Sequence, residues 1–198
     1  MKADENFFPR KFEYPFPVHF RHLRRYLDAI ELIGKIGRDE RWLDCACGSG
    51  YGTRLLADFA EHVVGYDRDD SIIDYARKYY GSPFCSFTAD RNSLSPASFS
   101  VAFSIETIEH IERWNASEFL KMIRGLLLND GRLVITTPLV PKSNPQPINP
   151  FHLYEYSDNE FCRLLGDAGF SIQEKKSYRV VFTDGEEKEQ AYYRCGVR

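Results

Sequence analysis

Two carboxylates and an imidazole stand close together in Glu106-Thr-Ile-Glu109-His110. A second imidazole, His152, follows in a proline-rich stretch. Carboxylate and imidazole groups can take a proton from a hydroxyl. They can also hold a divalent ion that polarises one. His110, Glu109 and His152 are therefore candidate bases. Glu106, Glu109, His110 and His152 form a candidate metal set, with Mg2+ as the ion. A plainer reading stays open for each histidine: His110 capping a helix, His152 bonding backbone in its loop. If residues 106–110 turn helically, Glu106 and His110 share a face at i, i+4.

A different chemistry belongs to Leu43-Asp44-Cys45-Ala46-Cys47-Gly48-Ser49-Gly50-Tyr51-Gly52-Thr53. An apolar lead-in ends in an acid, a loop of small residues follows, and a helix-like run covers 53–59. Gly48, Gly50 and Gly52 leave no side chains where a ligand could lie on the backbone. The helix start beyond them offers free N–H groups and partial positive charge. Such a loop suits the charged part of a nucleotide-like cofactor. A second apolar strand, 62–66, ends in Asp67, where an acid that binds ribose would sit.

These segments resemble the class I S-adenosylmethionine (SAM) methyltransferases. Asp44-Cys-Ala-Cys-Gly-Ser-Gly is similar to their first motif, with Ala46 in place of its first glycine. Dinucleotide-binding oxidoreductases instead use G-x-G-x-x-G without an acid at the first strand's end, and that pattern is absent. The resemblance runs from about Arg41 to Phe170. It implies an α/β, Rossmann-like fold: a mostly parallel seven-stranded sheet with helices on both faces. It implies SAM as cofactor and S-adenosylhomocysteine as product. The matching cofactor positions are Asp44, Ala46, Gly48, Gly50, Tyr51, Asp67, Arg68, Asp90, Arg91, Ser104 and Glu106, with Asp67 on the ribose hydroxyls and Asp90 on the adenine amino group. The segments around Ser104-Ile-Glu-Thr-Ile-Glu-His, Thr136-Thr-Pro and Asn149-Pro-Phe-His also resemble a bacterial group associated with surface-polysaccharide and sugar metabolism. The E-x-x-E-H pattern with His152 is similar to the metal set of small-RNA 3′-terminal and quinone-biosynthesis O-methyltransferases.

The elements that must position these groups follow from periodicity. A single domain over 1–198 is expected, with an aromatic arm and helix over 1–37 and the core over 38–198. Residues 7–20 carry six aromatic rings and three prolines, which suits a strap or a lid rather than a helix. Residues 18–33 read as a helix with Phe20, Leu23, Leu27 and Ile30 inward. Arg21, Arg24, Arg25 and Asp28 fall opposite, as a solvated face or a patch for an acceptor anion. His22 and Tyr26 lie near the stripe's edge, within reach of the cofactor, and Gly34 and Gly37 end the helix. Further helices are expected over 71–80, 115–127 with an Asn115–Glu118 capping box, and from Ser157 to Gly169. Strands are expected over 84–88, 99–104, 132–136, 170–181 and 190–197. A turn at 129–131 and a proline-rich loop from Pro138 join them, the loop crossing the active-site face. Phe12, Tyr14, Phe151 and Tyr154 are candidate rings for stacking on an acceptor.

Composition narrows the function classes. A net charge of −3 with 28% charged residues supplies no global field to hold nucleic acid. No signal peptide or membrane-spanning run is evident, so a cytoplasmic location is expected. Five cysteines without C-x-x-C spacing suit buried thiols. The leading expectation is O-methylation of a hydroxylated small molecule or glycan end. A quinone precursor, an RNA 3′ end, or a non-catalytic SAM-binding module are the alternatives.

Overall fold

The computed structural model describes residues 16–34, 36, 40–147, 149–181 and 187–198. The arm at 7–15, Gly37 and the turn at Asp184-Gly185 lie outside the described residues.

Seven strands form one sheet in the order β3-β2-β1-β4-β5-β7-β6. These are β1 (Arg41–Cys45), β2 (His62–Tyr66), β3 (Cys85–Thr88), β4 (Phe99–Ile105), β5 (Leu127–Leu139), β6 (Phe170–Val181) and β7 (Glu187–Val197). Strands β1 to β5 pair in parallel. Strand β7 inserts between β5 and β6 and runs antiparallel to both. Such a hairpin ending gives the sheet its mixed character. Parallel strands must be covered on both faces. Helices α1 (Phe16–Ile33), α2 (Tyr51–Leu56) and α3 (Asp70–Tyr80) cover one face, and α4 (Arg113–Leu126) and α5 (Asp158–Asp167) the other. Strand order changes direction at β1 and β4, so their C-terminal ends frame the crevice where ligands of open α/β sheets sit.

Helix α1 departs from expectation in two ways. It begins at Phe16, because Pro17 falls in the first turn, where its missing N–H costs nothing. Its buried face is also different. Phe20, Leu23 and Leu27 are 52%, 39% and 46% exposed, whereas Tyr26, Ala29, Ile30 and Ile33 are buried. The second set is itself an i, i+3, i+4, i+7 stripe. It wins because Tyr26 fits against Gly52 and reaches Asp44. The turn carries Arg25 and Asp28 inward, where Asp28 is 8% exposed and accepts from Arg24 and the Tyr192 hydroxyl.

Two other boundaries shift. Helix α4 starts at Arg113 after an extended Glu112, so Asn115 lies in the first turn and no capping box forms. Its buried residues are Ala116, Leu120, Ile123 and Leu126. The turn at 129–131 is an excursion inside β5: the register jumps from Phe99↔Leu127 to Val101↔Arg132. Ser157 does precede α5, but its side chain makes no capping bond.

Gly52 tests the packing that seats α1. A Cβ there would lie 1.9 Å from Tyr26 Cζ. Alanine normally improves a helix interior by up to about 1 kcal/mol over glycine. Here the clash should outweigh that gain, and Gly52→Ala should destabilise the fold by about 1–3 kcal/mol. Combined with Tyr26→Ala, it should cost much less than the sum of the single changes. An unchanged urea midpoint for Gly52→Ala would contradict this packing.

Candidate active site

The loop after β1 is held in a conformation that few residues tolerate. Ala46, Gly48 and Gly50 have φ of 63°, 53° and 88°. Glycine takes such angles freely, while Ala46 pays about 1–2 kcal/mol of strain. Gly48 N–H donates to Asp67 Oδ2 at 3.0 Å, and Asp69 N–H donates to Asp67 Oδ1 at 3.2 Å. The carboxylate at the end of β2 thus ties the loop after β1 to the start of α3. Burial raises the Asp67 pKa, and these two backbone donors work against that rise. Gly50 is small for a reason inside the protein. A Cβ there would meet Ala76 Cβ at 2.7 Å and Phe87 Cε1 at 2.8 Å. A bulky residue at 50 would therefore disrupt packing before it could report on a ligand.

Asp44 lies beneath this loop, 1% exposed. Thr53 Oγ1 donates to its Oδ2 at 2.7 Å, and the Tyr26 hydroxyl is 3.4 Å from each oxygen. Burial pushes its pKa from 3.8 up to about 7, although both hydroxyls favour the ionised form. Tyr51 packs edge-on against Tyr26 and its hydroxyl meets His22 Nδ1 at 3.4 Å. The His22–Tyr26 edge of α1 thus backs the loop.

A cavity of about 530 Å³ opens in front of the loop, lined by Ala46, Asp67, Arg68 and His110 among the expected residues. Thr107, Phe119, Met122 and Leu153 complete much of its wall and had not been singled out. Phe119 packs against the core from α4 and borders this cavity as well. The volume lies within the range of small-molecule sites, and one charged end with an apolar wall is their usual make-up. Of the loop only Ala46 lines the cavity, with Asp67 and the Phe119–Met122 wall; Asp44, Gly48, Gly50 and Tyr51 lie outside its lining. Ser104 is fully buried at the end of β4, and its hydroxyl has no hydrogen-bond partner among the described residues. Asp90 is exposed, caps the turn Arg91–Ser93 by accepting from Asn92 N–H at 2.9 Å, and lies with Arg91 outside the cavity lining.

The residues after β4 divide into two groups. Glu106 has a φ of 52° and its side chain leaves the others. It accepts from Thr136 Oγ1 at 2.8 Å and Gln190 Nε2 at 2.5 Å, and pairs with Arg25 at 3.1 Å. Residues 108–110 form only a single 3-10 turn, so Glu106 and His110 do not share a helical face. Glu109, His110 and His152 do come together, with one donor atom from each within 4.8 Å of the others. Glu109 is buried and accepts from Thr137 Oγ1 at 3.2 Å. Burial, with Glu106 nearby, raises its pKa well above the ordinary range. The two imidazoles meet edge-on, with centroids 5.1 Å apart. His110 Nδ1 lies 2.8 Å from the Phe151 carbonyl, and His152 Nδ1 lies 2.7 Å from Glu155 Oε1. An oxygen acceptor at each Nδ1 selects the tautomer whose lone pair is on Nε2. The proline-rich loop is drawn over this group by Leu153 and Tyr154 N–H, both donating to the Glu109 carbonyl. Phe151 stays at the exposed rim, but Tyr154 is 9% exposed and stacks under Arg113, so it cannot serve as an acceptor platform.

A methyltransferase-domain model matches residues 18–175. The chain belongs to the methyltransferase-domain family. A probable SAM-dependent methyltransferase of Mycolicibacterium smegmatis is 32% identical over 142 residues, covering 70% of this chain and 54% of its own length. The mitochondrial ubiquinone biosynthesis O-methyltransferase of Arabidopsis thaliana is 27% identical over 104 residues, covering 49% of this chain and 32% of its own length. The chain thus spans about half, or less, of the curated relatives it matches. A solved structure from Bacillus halodurans matches with a TM-score of 0.73 at 16% identity, covering 86% of this chain and 97% of its own, and shares the fold. Residues 18–175 thus form a methyltransferase domain. Among the described residues no helix is long and apolar enough to cross a membrane.

The Asp44 environment gives a pH dependence. Its carboxyl titrates at about 7 when folded, against about 3.8 ordinarily. The folded state therefore holds a proton that the unfolded chain has released. Unfolding free energy of the ligand-free protein should fall across this window as pH rises, by on the order of 2 kcal/mol. Asp44→Asn should remove most of that fall. Urea unfolding at about pH 5 and about pH 8 measures it. An equal fall in wild type and Asp44→Asn would assign it elsewhere.

Proposed function

We propose that this domain holds SAM in the cavity between the Ala46–Gly50 loop and α4, and transfers its methyl group to a hydroxyl of a small-molecule or glycan acceptor. The supporting observation is that Ala46, Asp67 and His110 line one cavity, with Glu109 and His152 grouped around His110. When bound, SAM supplies an electrophilic methyl on a sulfonium. Asp67 accepts from the ribose hydroxyls. Ala46, Gly48 and Gly50 present backbone, with Tyr51 and Asp44 supporting that loop. Arg68 lines the same cavity, whereas Asp90, Arg91 and Ser104 are assigned to the cofactor end on the family resemblance alone, and Glu106 acts through its bonds to Arg25 and Gln190.

At the acceptor end, His110 or His152 takes the hydroxyl proton at Nε2 as the oxygen attacks in line. Glu109 is the third candidate; burial favours its protonated form, so it can take the proton only when ionised. The proline-rich loop, anchored on the Glu109 carbonyl, excludes water from the transfer. A sugar-type acceptor suits the exposed Phe151 rim. An RNA 3′ end suits the site less well, because Arg24 and Arg25 are committed to Asp28 and Glu106. A non-catalytic role leaves the clustered imidazoles unexplained.

A second reading has its own observation. Glu109, His110 and His152 offer donor atoms close enough to share one divalent ion. Such an ion would polarise an acceptor hydroxyl, as in a quinone precursor. Glu106 is not part of that set.

Two experiments test these readings. Asp67→Ala should weaken SAM binding in calorimetry by about 1.5–3 kcal/mol, tenfold or more. Unchanged affinity would contradict the ribose assignment. An acceptor screen that follows S-adenosylhomocysteine release should find turnover that His110→Ala or His152→Ala abolishes. Loss of turnover in chelator, restored by magnesium or manganese, supports the metal reading. Full turnover in excess chelator eliminates it and leaves the histidines as bases.

A further inference from the structure

Glu155 sits directly behind His152 and has no place in the chemistry described above. It is 2% exposed. Its backbone is fixed on both sides: Asn144 N–H donates to its carbonyl at 2.8 Å, and its own N–H donates to the Asn144 carbonyl at 3.0 Å. Its Oε1 accepts from His152 Nδ1 at 2.7 Å and from Lys188 Nζ at 2.9 Å. Lys188 reaches in from β7, on the hairpin that ends the sheet, and its side chain is only 15% exposed.

A buried carboxylate is costly unless a cation and hydrogen bonds compensate it. Lys188 supplies the cation. The carboxylate that remains can only accept, so the His152 nitrogen facing it must carry the proton. That leaves the lone pair on Nε2, on the ring's far side. The same preset appears at His110, through the Phe151 carbonyl. A proton acceptor and a metal ligand both need that lone pair, and a carboxylate behind a histidine raises its basicity and fixes its orientation.

We propose that Glu155, balanced by Lys188, is a positioning residue that locks His152 in the Nδ1–H tautomer and presents its Nε2 lone pair to the Glu109–His110 group. This rests on reading His152 as a base or ligand. It assigns a role to the β7 hairpin: a cation that it carries into the interior sets the chemistry of a side chain on the proline-rich loop.

The test is the nitrogen-15 spectrum of the histidine rings in the full chain at about pH 8, above the ordinary histidine range. His152 is assigned by its loss in His152→Gln. Wild type should show His152 protonated at Nδ1 and lone-paired at Nε2. Glu155→Gln keeps an amide oxygen that can accept from Nδ1, and should retain that tautomer. Glu155→Ala should lose it, giving a mixture or the Nε2–H form. S-adenosylhomocysteine affinity within about threefold of wild type shows that the variant is folded, since Glu155 lies outside the cavity lining. An Nε2–H tautomer in wild type overturns the proposal even if Glu155→Ala fails to fold. An Nδ1–H tautomer that survives in folded Glu155→Ala also overturns it. The histidine-variant and chelator assays report on His152 itself, so either claim can fail without the other.

Discussion

The bond from Gly48 N–H to the Asp67 carboxylate is the constraint on which the site depends. It spans the loops after the two adjacent strands β1 and β2. With it made, the first loop must pass through left-handed angles at Ala46, Gly48 and Gly50. A short chain of small residues can do this, and the strain at Ala46 is tolerated because the surrounding contacts over-determine the loop. Each Asp67 oxygen accepts one backbone N–H. A carboxylate has about four acceptor sites, so capacity remains toward the cavity. One side chain thus shapes the loop and offers a charged acceptor beside it.

Two polar networks extend from the end of β4 in different directions. On the α1 side, Glu106 is held by Arg25, Thr136 and Gln190. That cluster joins helix α1 to strands β5 and β7. On the α4 side, Glu109, His110 and His152 gather under the proline-rich loop. The left-handed backbone at Glu106 lies between the strand and the 3-10 turn that carries Glu109 and His110. One short acidic segment therefore supplies both a structural and a chemical cluster.

Much of this was legible in sequence because local rules and tertiary demands coincide there. The strand–loop–helix from Arg41, the acid after β2 and helix α3 follow from periodicity and small residues, although the helix covers Tyr51–Leu56 rather than the expected 53–59. Most of what failed had a competing partner elsewhere in the chain, near or distant. Helix α1 carries two apolar stripes, and only Gly52, which leaves room for Tyr26, decides which is buried. The Asn115–Glu118 spacing is a valid capping box, but Glu112 already supplies the extended residue that starts α4. The clustering of Glu109 with both histidines was foreseeable in kind. The removal of Glu106 from it was not, because Arg25 and Gln190 lie far away in sequence. Glu155 and Lys188 gave no signal: a buried ion pair between a loop and a strand has no local pattern.

The central claim is that the Asp67 carboxylate reads the ribose of the cofactor. Calorimetry of S-adenosylhomocysteine against its 2′-deoxy and 3′-deoxy analogues tests this with the protein unaltered. Each missing hydroxyl removes a hydrogen bond to a charged, buried acceptor, so each analogue should bind about tenfold or more weakly. Equal affinity for all three ligands would contradict the account, and would mean that Asp67 only holds the loop.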